Sequence, residues 1–542
     1  MICKGNDKNR LCFFNANDFC FYSIYYIFAE NKNKAIMENL LTMSKEGRSE
    51  YCCNIIQVGT VSPIEGSDFL GVTLINGQSV VVRKDQVKEG DIMFYASNEC
   101  QLNDRFLSVN NLFDIGNYEL NANKEDVGQL LANANNADSK EKSAEYMNLA
   151  KKKVGYFAKT GRVRMMKLRK VPSYGFLFTM AEMERFCPKV SSLQMEDYLN
   201  VDFDTIDGEL FVKAYVPNIN RCNKTKDRSS NAQKRSNKFD RMIPGEFQFH
   251  YDTKPLGKSI CEISPTDVVT ISVKLHGTSA IFSNIKVKQP IKLPIHKWLI
   301  NKLIDFTGWF KSSRITDYEI IYDNVYSSRT VIKNQYINKN VNGGYYNSDV
   351  WSDYNELLKG KIDKGMTVYG EIVGYVTNSS TFIQKSYDYR CLVGTNKFMP
   401  YRITTETDDG KKKEWNVNKV KEWTEKLIEA YPDIKGKIQV IPILYHGTLK
   451  DLYPNLDTHT HWNEEVLESL KNDKNNLGME LFEPMCKNNV YREGIVIRID
   501  DDPKAEAFKL KTNGFYGYEQ KEVDNGNVDI EMADNYVTNC EG

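Results

Sequence analysis

Thr270-Ile271-Ser272-Val273-Lys274-Leu275-His276-Gly277-Thr278-Ser279 is the stretch on which the reading of the fold turns. Its first half alternates polar and apolar residues, the period of a half-buried strand, and Lys274 falls on the polar face. Gly277 follows three residues later, and a residue without a side chain lets backbone come close to a phosphate or a nucleoside. A lysine that attacks a phosphoryl centre must first be deprotonated, which calls for desolvation or neighbouring cations. Taken alone, Lys-x-x-Gly arises often by chance, and an ordinary surface lysine before a turn would read the same.

Four later segments, in a fixed order, support the reactive reading. Tyr369-Gly370-Glu371-Ile372-Val373-Gly374 sets a carboxylate between two glycines in a strand-like run. Lys397-Phe398-Met399-Pro400-Tyr401-Arg402-Ile403 offers aromatics able to stack on a purine, though alternation leaves open which of Phe398 and Tyr401 does so. Arg492-Glu493-Gly494-Ile495-Val496-Ile497-Arg498 places a second carboxylate at a strand start. Phe508-Lys509-Leu510-Lys511 puts two lysines on one face of a strand. A nucleophilic lysine, two carboxylates, a stacking aromatic and a pair of cations suffice for nucleotidyl transfer with a divalent metal.

These segments resemble motifs I, III, IIIa, IV and V of the covalent nucleotidyltransferases, the superfamily of DNA ligases, RNA ligases and mRNA capping enzymes. His276 stands where DNA ligases and capping enzymes usually carry Asp, which is similar to RNA ligases. Tyr369–Gly374, the run Tyr401-Arg402-Ile403-Thr404 and the segment Gln384-Lys385-Ser386-Tyr387-Asp388-Tyr389 point the same way. The resemblance implies that Lys274 carries AMP and that Leu275, His276 and Gly277 line the ATP site. Arg329, in Ser327-Ser328-Arg329, resembles an arginine that engages ribose or phosphate. Glu371 would hold a ribose hydroxyl or a metal-bound water, Glu493 would organise the metal, and Lys509 and Lys511 would neutralise phosphates. Phe398 or Tyr401 would stack on adenine, and Lys385 would contact nucleic acid. ATP with Mg2+ or Mn2+ is the implied cofactor set.

The N-terminal half extends the resemblance. Ile56, Val58 and Thr60 alternate, Pro63 and Gly66 mark a turn, and Val72–Ile75 and Ser79–Val82 flank Asn76-Gly77. Asn-Gly between β-branched runs signals a hairpin, because both turn positions need positive φ. Ile92–Tyr95 adds a further strand, and short strands between turns suggest an OB-fold. A strand over 162–169 would carry Arg162, Arg164, Lys167 and Arg169, able to follow a phosphate backbone or merely to face solvent. An OB-like module ahead of the catalytic domain resembles RNA ligases of the Naegleria and Deinococcus type; DNA ligases and capping enzymes carry theirs after it. The resemblance covers most of residues 55–515 but not 1–45, 120–155, 218–241 or 286–320.

The expected architecture is α+β: an N-terminal OB-like β-barrel followed by a nucleotidyltransferase domain of ATP-grasp-like antiparallel sheets with helices. Residues 1–45 read as a disordered extension, with a membrane anchor as the less favoured alternative, since the aromatic run 11–29 is broken by Asn15, Asn17 and Asp18 and leaves too short an apolar run to span a bilayer. Residues 46–185 read as the OB-like domain with a helical insertion at 120–155, and 186–245 as a basic linker. Residues 246–520 form the adenylyltransferase domain, in which Val420, Trp423, Thr424, Leu427 and Tyr431 mark one helix face, and 521–542 an acidic tail.

Composition adds exclusions. At 542 residues the chain exceeds one ordinary core. Lys+Arg and Asp+Glu both total 72, so no global basic field exists and any nucleic-acid site must be a local patch. The twelve cysteines include no Cys-x-x-Cys, which argues against structural zinc and for reduced thiols in a cytoplasmic setting. Gly257-Lys258-Ser259 is not a P-loop, because Asp252 replaces the required upstream glycine. The expectation is a monomeric RNA ligase acting on RNA or RNA-containing duplex ends, with no membrane partner. The alternatives are a DNA ligase, a capping-type guanylyltransferase, or a non-catalytic nucleic-acid-binding protein.

Overall fold

A computed structural model describes residues 40–45, 47–216, 239–251, 253–307, 315–337, 348–407, 410–458, 462–502, 504 and 506–525. Nearly all of the expected N-terminal extension, the middle of the basic run at 217–238 and the tail beyond 525 lie outside the described residues. The chain divides into two compact units, Met1–Tyr215 and Val216–Gly542.

In the first unit, β1 (Cys53–Gln57), β4 (Ile92–Ala96), β7 (Phe176–Phe178) and β8 (Asp202–Phe203) make a sheet in the order β7-β4-β1-β8. Alternation decides its two faces. Ile55, Phe94 and Phe178 enter the main apolar core, while Ile56, Met93 and Tyr95 pack with Ile75, Val80 and Val82 of a hairpin. That hairpin joins β2 (Leu70–Ile75) to β3 (Gln78–Arg83), and Asn76 and Gly77 both take positive φ, at 49° and 71°. The helical insertion is present as α1 (Lys124–Asn135) and α2 (Lys140–Lys152), the latter capped by the Ser139 side chain.

The barrel expected of an OB-fold is not found; among the described residues the strands form separate small sheets. The expected strand over 162–169 shrinks to β5 (Met166–Leu168), because Arg169 and Lys170 take positive φ and turn the chain into β6 (Val171–Ser173). Where β6 meets the hairpin, Pro172 has no N–H to donate. Its carbonyl accepts from Ser79 Oγ, and the Val81 N–H donates to Ser173 Oγ, so side chains replace a ladder. Arg162 is no surface cation: its guanidinium is buried 2.8 Å from Glu99. Arg164, Lys167 and Arg169 are exposed. Residues 186–215, read from sequence as the start of a linker, instead supply Val190, Leu193, Phe203, Ile206, Phe211 and Val212 to the core. The composition there is polar enough to resemble a tether, but its apolar positions are buried.

The second unit holds two five-stranded sheets. One contains β9 (Lys254–Pro255) and β10 (Val268–Lys274). The other begins with β11 (Thr278–Pro290), followed by helix α3 (Ile295–Thr307) and β12 (Tyr318–Ser327). After α4 (Val350–Leu358) come β13 (Met366–Gly374), β14 (Asn396–Glu406), β15 (Lys412–Glu414) and α5 (Val417–Ala430). The chain then returns to the first sheet with β16 (Ile443–Thr448), α6 (Trp462–Asn472), β17 (Gly494–Ile499) and β18 (Ala507–Lys511), and ends in α7 (Asn513–Asp524). The orders are β9-β18-β17-β10-β16 and β12-β11-β13-β14-β15, antiparallel except for β9 with β18.

Each sheet buries one face under helices. Val269, Ile271, Ile495, Ile497 and Phe508 pack on Val466, Leu467 and Leu470 of α6. Ala280, Phe282, Val368, Ile372 and Phe398 pack on Trp351 and Tyr354 of α4 and on Val420 and Leu427 of α5. The opposite faces, with Thr270, Ser272 and Lys274 on one sheet and Ser279 and Glu371 on the other, are left for polar work. Among the described residues no helix is long and apolar enough to cross a membrane.

Candidate active site

Lys274 ends β10, directly opposite Gly494 of β17, which in turn faces Lys511 of β18. Ser272, Val496 and Lys509 form the next row. Residues opposite one another in a ladder point to the same side, so Lys274, Lys509 and Lys511 share one face although more than two hundred residues of chain intervene. The row closes tightly because Gly494 has no side chain: at φ 154°, a Cβ there would lie 2.0 Å from the Leu510 carbonyl oxygen.

Beside Gly494, Glu493 is buried. Its Oε1 is 2.6 Å from Lys274 Nζ, its Oε2 is 3.7 Å from His276 Nδ1, and Oε2 has no hydrogen-bond partner. Thr512 fixes the backbone here: its N–H donates to the Glu493 carbonyl and its hydroxyl to the Arg492 carbonyl. A buried carboxylate oxygen left without a donor is costly unless something fills the position. Among the described residues no group of three or more His, Cys, Asp or Glu side chains could hold a metal ion. One carboxylate is still enough for Mg2+ or Mn2+ when substrate phosphates and waters complete the shell, so the Glu493 oxygen fits such an ion.

The Leu275-His276-Gly277 run is clamped from the segment 384–389. The His276 N–H donates to the Tyr389 hydroxyl at 2.7 Å, and Gln384 Nε2 donates to the Gly277 carbonyl at 2.8 Å. Burial pushes the Tyr389 hydroxyl far above its ordinary range, so it stays protonated while it accepts that bond. The His276 ring stands edge-on to Tyr387 and Phe515, and Leu275 is buried. Gly277 is required by packing: a Cβ would meet the Ile372 carbonyl oxygen at 2.4 Å and Glu371 Cγ at 2.7 Å. That closeness also places Glu371 at the site, paired across the ladder with Ser279. Arg329 follows the end of β12, where Ser327 pairs with Ile281, two residues along from Ser279.

The structure sends the two candidate aromatics to opposite sides. Phe398 is fully buried between Phe282, Tyr354 and the backbone of Gly370, on the helix-covered face. The register of β14 against β13 then slips, with Gly370 opposite Pro400 and Tyr369 opposite Arg402, so Tyr401 is the extra residue of a bulge. Tyr401 comes out half-buried beside Arg498, whose Nη1 donates to the Tyr401 carbonyl and whose guanidinium lies 5.4 Å from the ring centroid. The Tyr401 hydroxyl is 2.8 Å from His250 Nε2. Burial, reinforced by the charge of Arg402, pulls the Arg498 guanidinium down to about 10. Phe398→Ala should destabilise the unit by roughly 3–5 kcal/mol without a specific effect on nucleotide affinity, because it opens a core cavity. Tyr401→Ala should raise the KM for nucleotide while sparing the melting temperature. Paired melting and nucleotide titrations check both; the reverse pattern would place the stacking ring at 398.

Acidic residues of α7 hold two of the lysines singled out from the sequence, Lys511 and Lys385. Lys511 Nζ lies 2.9 Å from Glu519 of α7, over the rings of Phe515 and Tyr516. Lys385 is exposed and pairs at 3.1 Å with Glu522 of the same helix. Sequence reasoning gave Arg498 no role and did not single out His250 or Glu519. Gln384, Tyr387 and Tyr389 lay inside a segment singled out by resemblance, but nothing local revealed that they grip the lysine loop.

A comparison with curated proteins found no match. Among solved structures the chain is similar to Naegleria gruberi RNA ligase with PPi, at 14% identity and a TM-score of 0.45, covering 87% of this chain and 99% of that chain. It is similar also to a mutant of that enzyme with ATP and Mn, at 16% identity and a TM-score of 0.46, with the same coverage. A mutant with AMP and Mn matches at 14% identity and a TM-score of 0.46 over 87% and 99% of the two chains. Likeness at this level says nothing of function. The family evidence is separate: residues 267–511 match the RNA ligase family model. That span holds Lys274, Glu371, Glu493, Lys509 and Lys511, so the part of the chain that carries the candidate site matches an RNA ligase domain, and the protein is an enzyme of the ligase class.

Proposed function

We propose that the protein is an ATP-dependent RNA ligase that joins 3′-hydroxyl and 5′-phosphate ends through AMP carried on Lys274. The observation that carries this reading is the Lys274–Glu493 contact of 2.6 Å, set in a row with Gly494 and Lys511 at the rim of one polar sheet face.

In the first step the Lys274 amine gives up a proton, for which Glu493 Oε1 is the nearest acceptor. Nζ then bonds to the α-phosphorus of ATP, and the bond to pyrophosphate breaks. AMP next passes to a 5′-phosphate end, and a 3′-hydroxyl displaces it to form the phosphodiester. Mg2+ or Mn2+ held by Glu493, with Glu371 reaching it through water, would supply charge neutralisation at the phosphate oxygens. Lys509 and Lys511 stabilise the same oxygens from the neighbouring strand. Tyr401 is the aromatic available to the adenine, Arg329 engages ribose or phosphate, and Glu371 takes a ribose hydroxyl. In the first unit, the exposed Arg164, Lys167 and Arg169 offer phosphate contacts, and Lys385 adds another near the lysine loop. Arg162 takes no part, since it is committed to Glu99.

Labelled ATP and labelled GTP, each with a divalent metal, separate this reading from its competitors. Acid-labile protein label is expected from ATP. Label from GTP alone would make the protein a capping-type guanylyltransferase, and label from neither would leave a binding module. Sealing assays with RNA or DNA on each side of a nick then define the acceptor; RNA-containing nicks are the expected substrate, and DNA-only sealing would overturn the assignment.

A further inference from the structure

Helix α3 is built inside out. A helix on the surface of a protein ordinarily buries its apolar stripe and shows its polar one. Here the buried residues are Asn301 and Ile304, and the exposed ones include Phe306 (90% exposed), Ile295 (78%), Leu303 (63%), Leu299, Ile300 and Trp298. Asn301 is the anchor: its side-chain amide donates to the Ile315 carbonyl at 2.8 Å and its oxygen accepts the Ile315 N–H at 2.9 Å. This clamp holds the helix against the returning chain at the tip of the β11–β12 hairpin, whose last pair is Pro290 with Tyr318. The polar contact does the docking, and the apolar side chains point outward. Ile291 and Ile320, both exposed, carry the apolar surface on to the hairpin.

An apolar surface of this extent marks a contact site. Its charges indicate what it meets. Lys292, Lys297 and Lys302 are exposed around it, against Asp305 in the helix and Glu319 beside Ile320 on the hairpin. The Lys302 ammonium lies 5.2 Å from the Trp298 ring centroid, a long basic side chain running beside an aromatic one. Two copies meeting through this face would gather lysines that outnumber the acidic residues around it. Unstacked bases want flat aromatic or guanidinium faces, whereas Ile295, Leu299, Ile300 and Leu303 are aliphatic and no arginine lies in the helix. Aliphatic and aromatic side chains bordered by lysine suit the acyl and headgroup layers of an anionic bilayer.

We propose that α3 is a peripheral membrane-contact helix that inserts its apolar face into the interface of an anionic lipid bilayer. This departs from the expectation of no membrane partner, and it does not depend on the ligase reading. The full chain should float with phosphatidylcholine vesicles containing phosphatidylserine and much less with phosphatidylcholine alone. The double variant Leu303→Asp, Phe306→Asp should lower binding by at least ~10-fold, since two large apolar groups no longer enter the interface. Both residues are more than half exposed, and an unchanged circular dichroism spectrum and melting temperature would show that the variant is folded. Lys297→Glu with Lys302→Glu, which leaves the apolar face intact, should remove the preference for phosphatidylserine. Wild-type protein that stays unbound, or variants that float as well as wild type, would overturn the proposal. A vesicle-independent dimer lost in the Asp variant would assign the face to a second copy, and loss of RNA binding without vesicle binding would assign it to RNA.

Discussion

Lys274→Ala abolishes protein labelling by ATP and lowers strand sealing by more than ~10³-fold, since no other group replaces a covalent nucleophile. Lys274 is the partner of the buried Glu493, so the variant should melt lower than the wild type, and circular dichroism checks that it stays folded. Sealing by the variant should return when the RNA is supplied with AMP already on its 5′-phosphate, because that substrate bypasses the first step. Labelling that survives in Lys274→Ala would place the AMP on another residue and remove the basis of the proposed mechanism.

Glu493→Gln should lower the rate of AMP transfer by roughly 10²–10³-fold, the magnitude seen when a preorganised electrostatic group is lost. Glutamine fills the same space beside Lys274 and His276, so folding is spared while the charge is gone. If Glu493 holds the metal, the variant should also need more Mg2+ or Mn2+ to reach its own maximum rate. Titrating metal at saturating ATP reads this directly. A fall in rate with no change in metal demand would restrict Glu493 to handling the Lys274 proton, and a loss below tenfold would remove it from the machinery.

Much of this arrangement was legible in the sequence, for reasons that can be traced. Asn76-Gly77 announced its hairpin because few residues tolerate positive φ twice in succession. The strands carrying Lys274, Glu371, Glu493 and Lys509–Lys511 were visible through alternation and through the order of their motifs. What alternation could not cross was a bulge: the slip beside Pro400 leaves Tyr401 half-buried while Phe398 goes into the core, and it leaves no mark in a period of two. Barrel closure was likewise out of reach, since the expected basic strand is cut by the turn at Arg169-Lys170. Residues 186–215 resembled a tether because their buried positions are spaced by short irregular elements. Asn301 shows a further limit, because an apolar helix pattern does not say which side meets the protein.

The pairing of Lys511 with Glu519, and of Lys385 with Glu522, also bears on how the enzyme tells anions apart. A bare lysine row would attract any phosphate in its surroundings. Here an arriving anion must displace a carboxylate that is already in place, so net charge alone gains it little. On the proposed assignment, the advantage would pass to ligands that bring further contacts, a base against Tyr401 or a sugar near Glu371, while free phosphate has only its charge to offer. If Lys511 and Lys385 meet phosphates as proposed, helix α7 would act as a resident competitor, turning a site that would otherwise respond to charge into one that responds to shape.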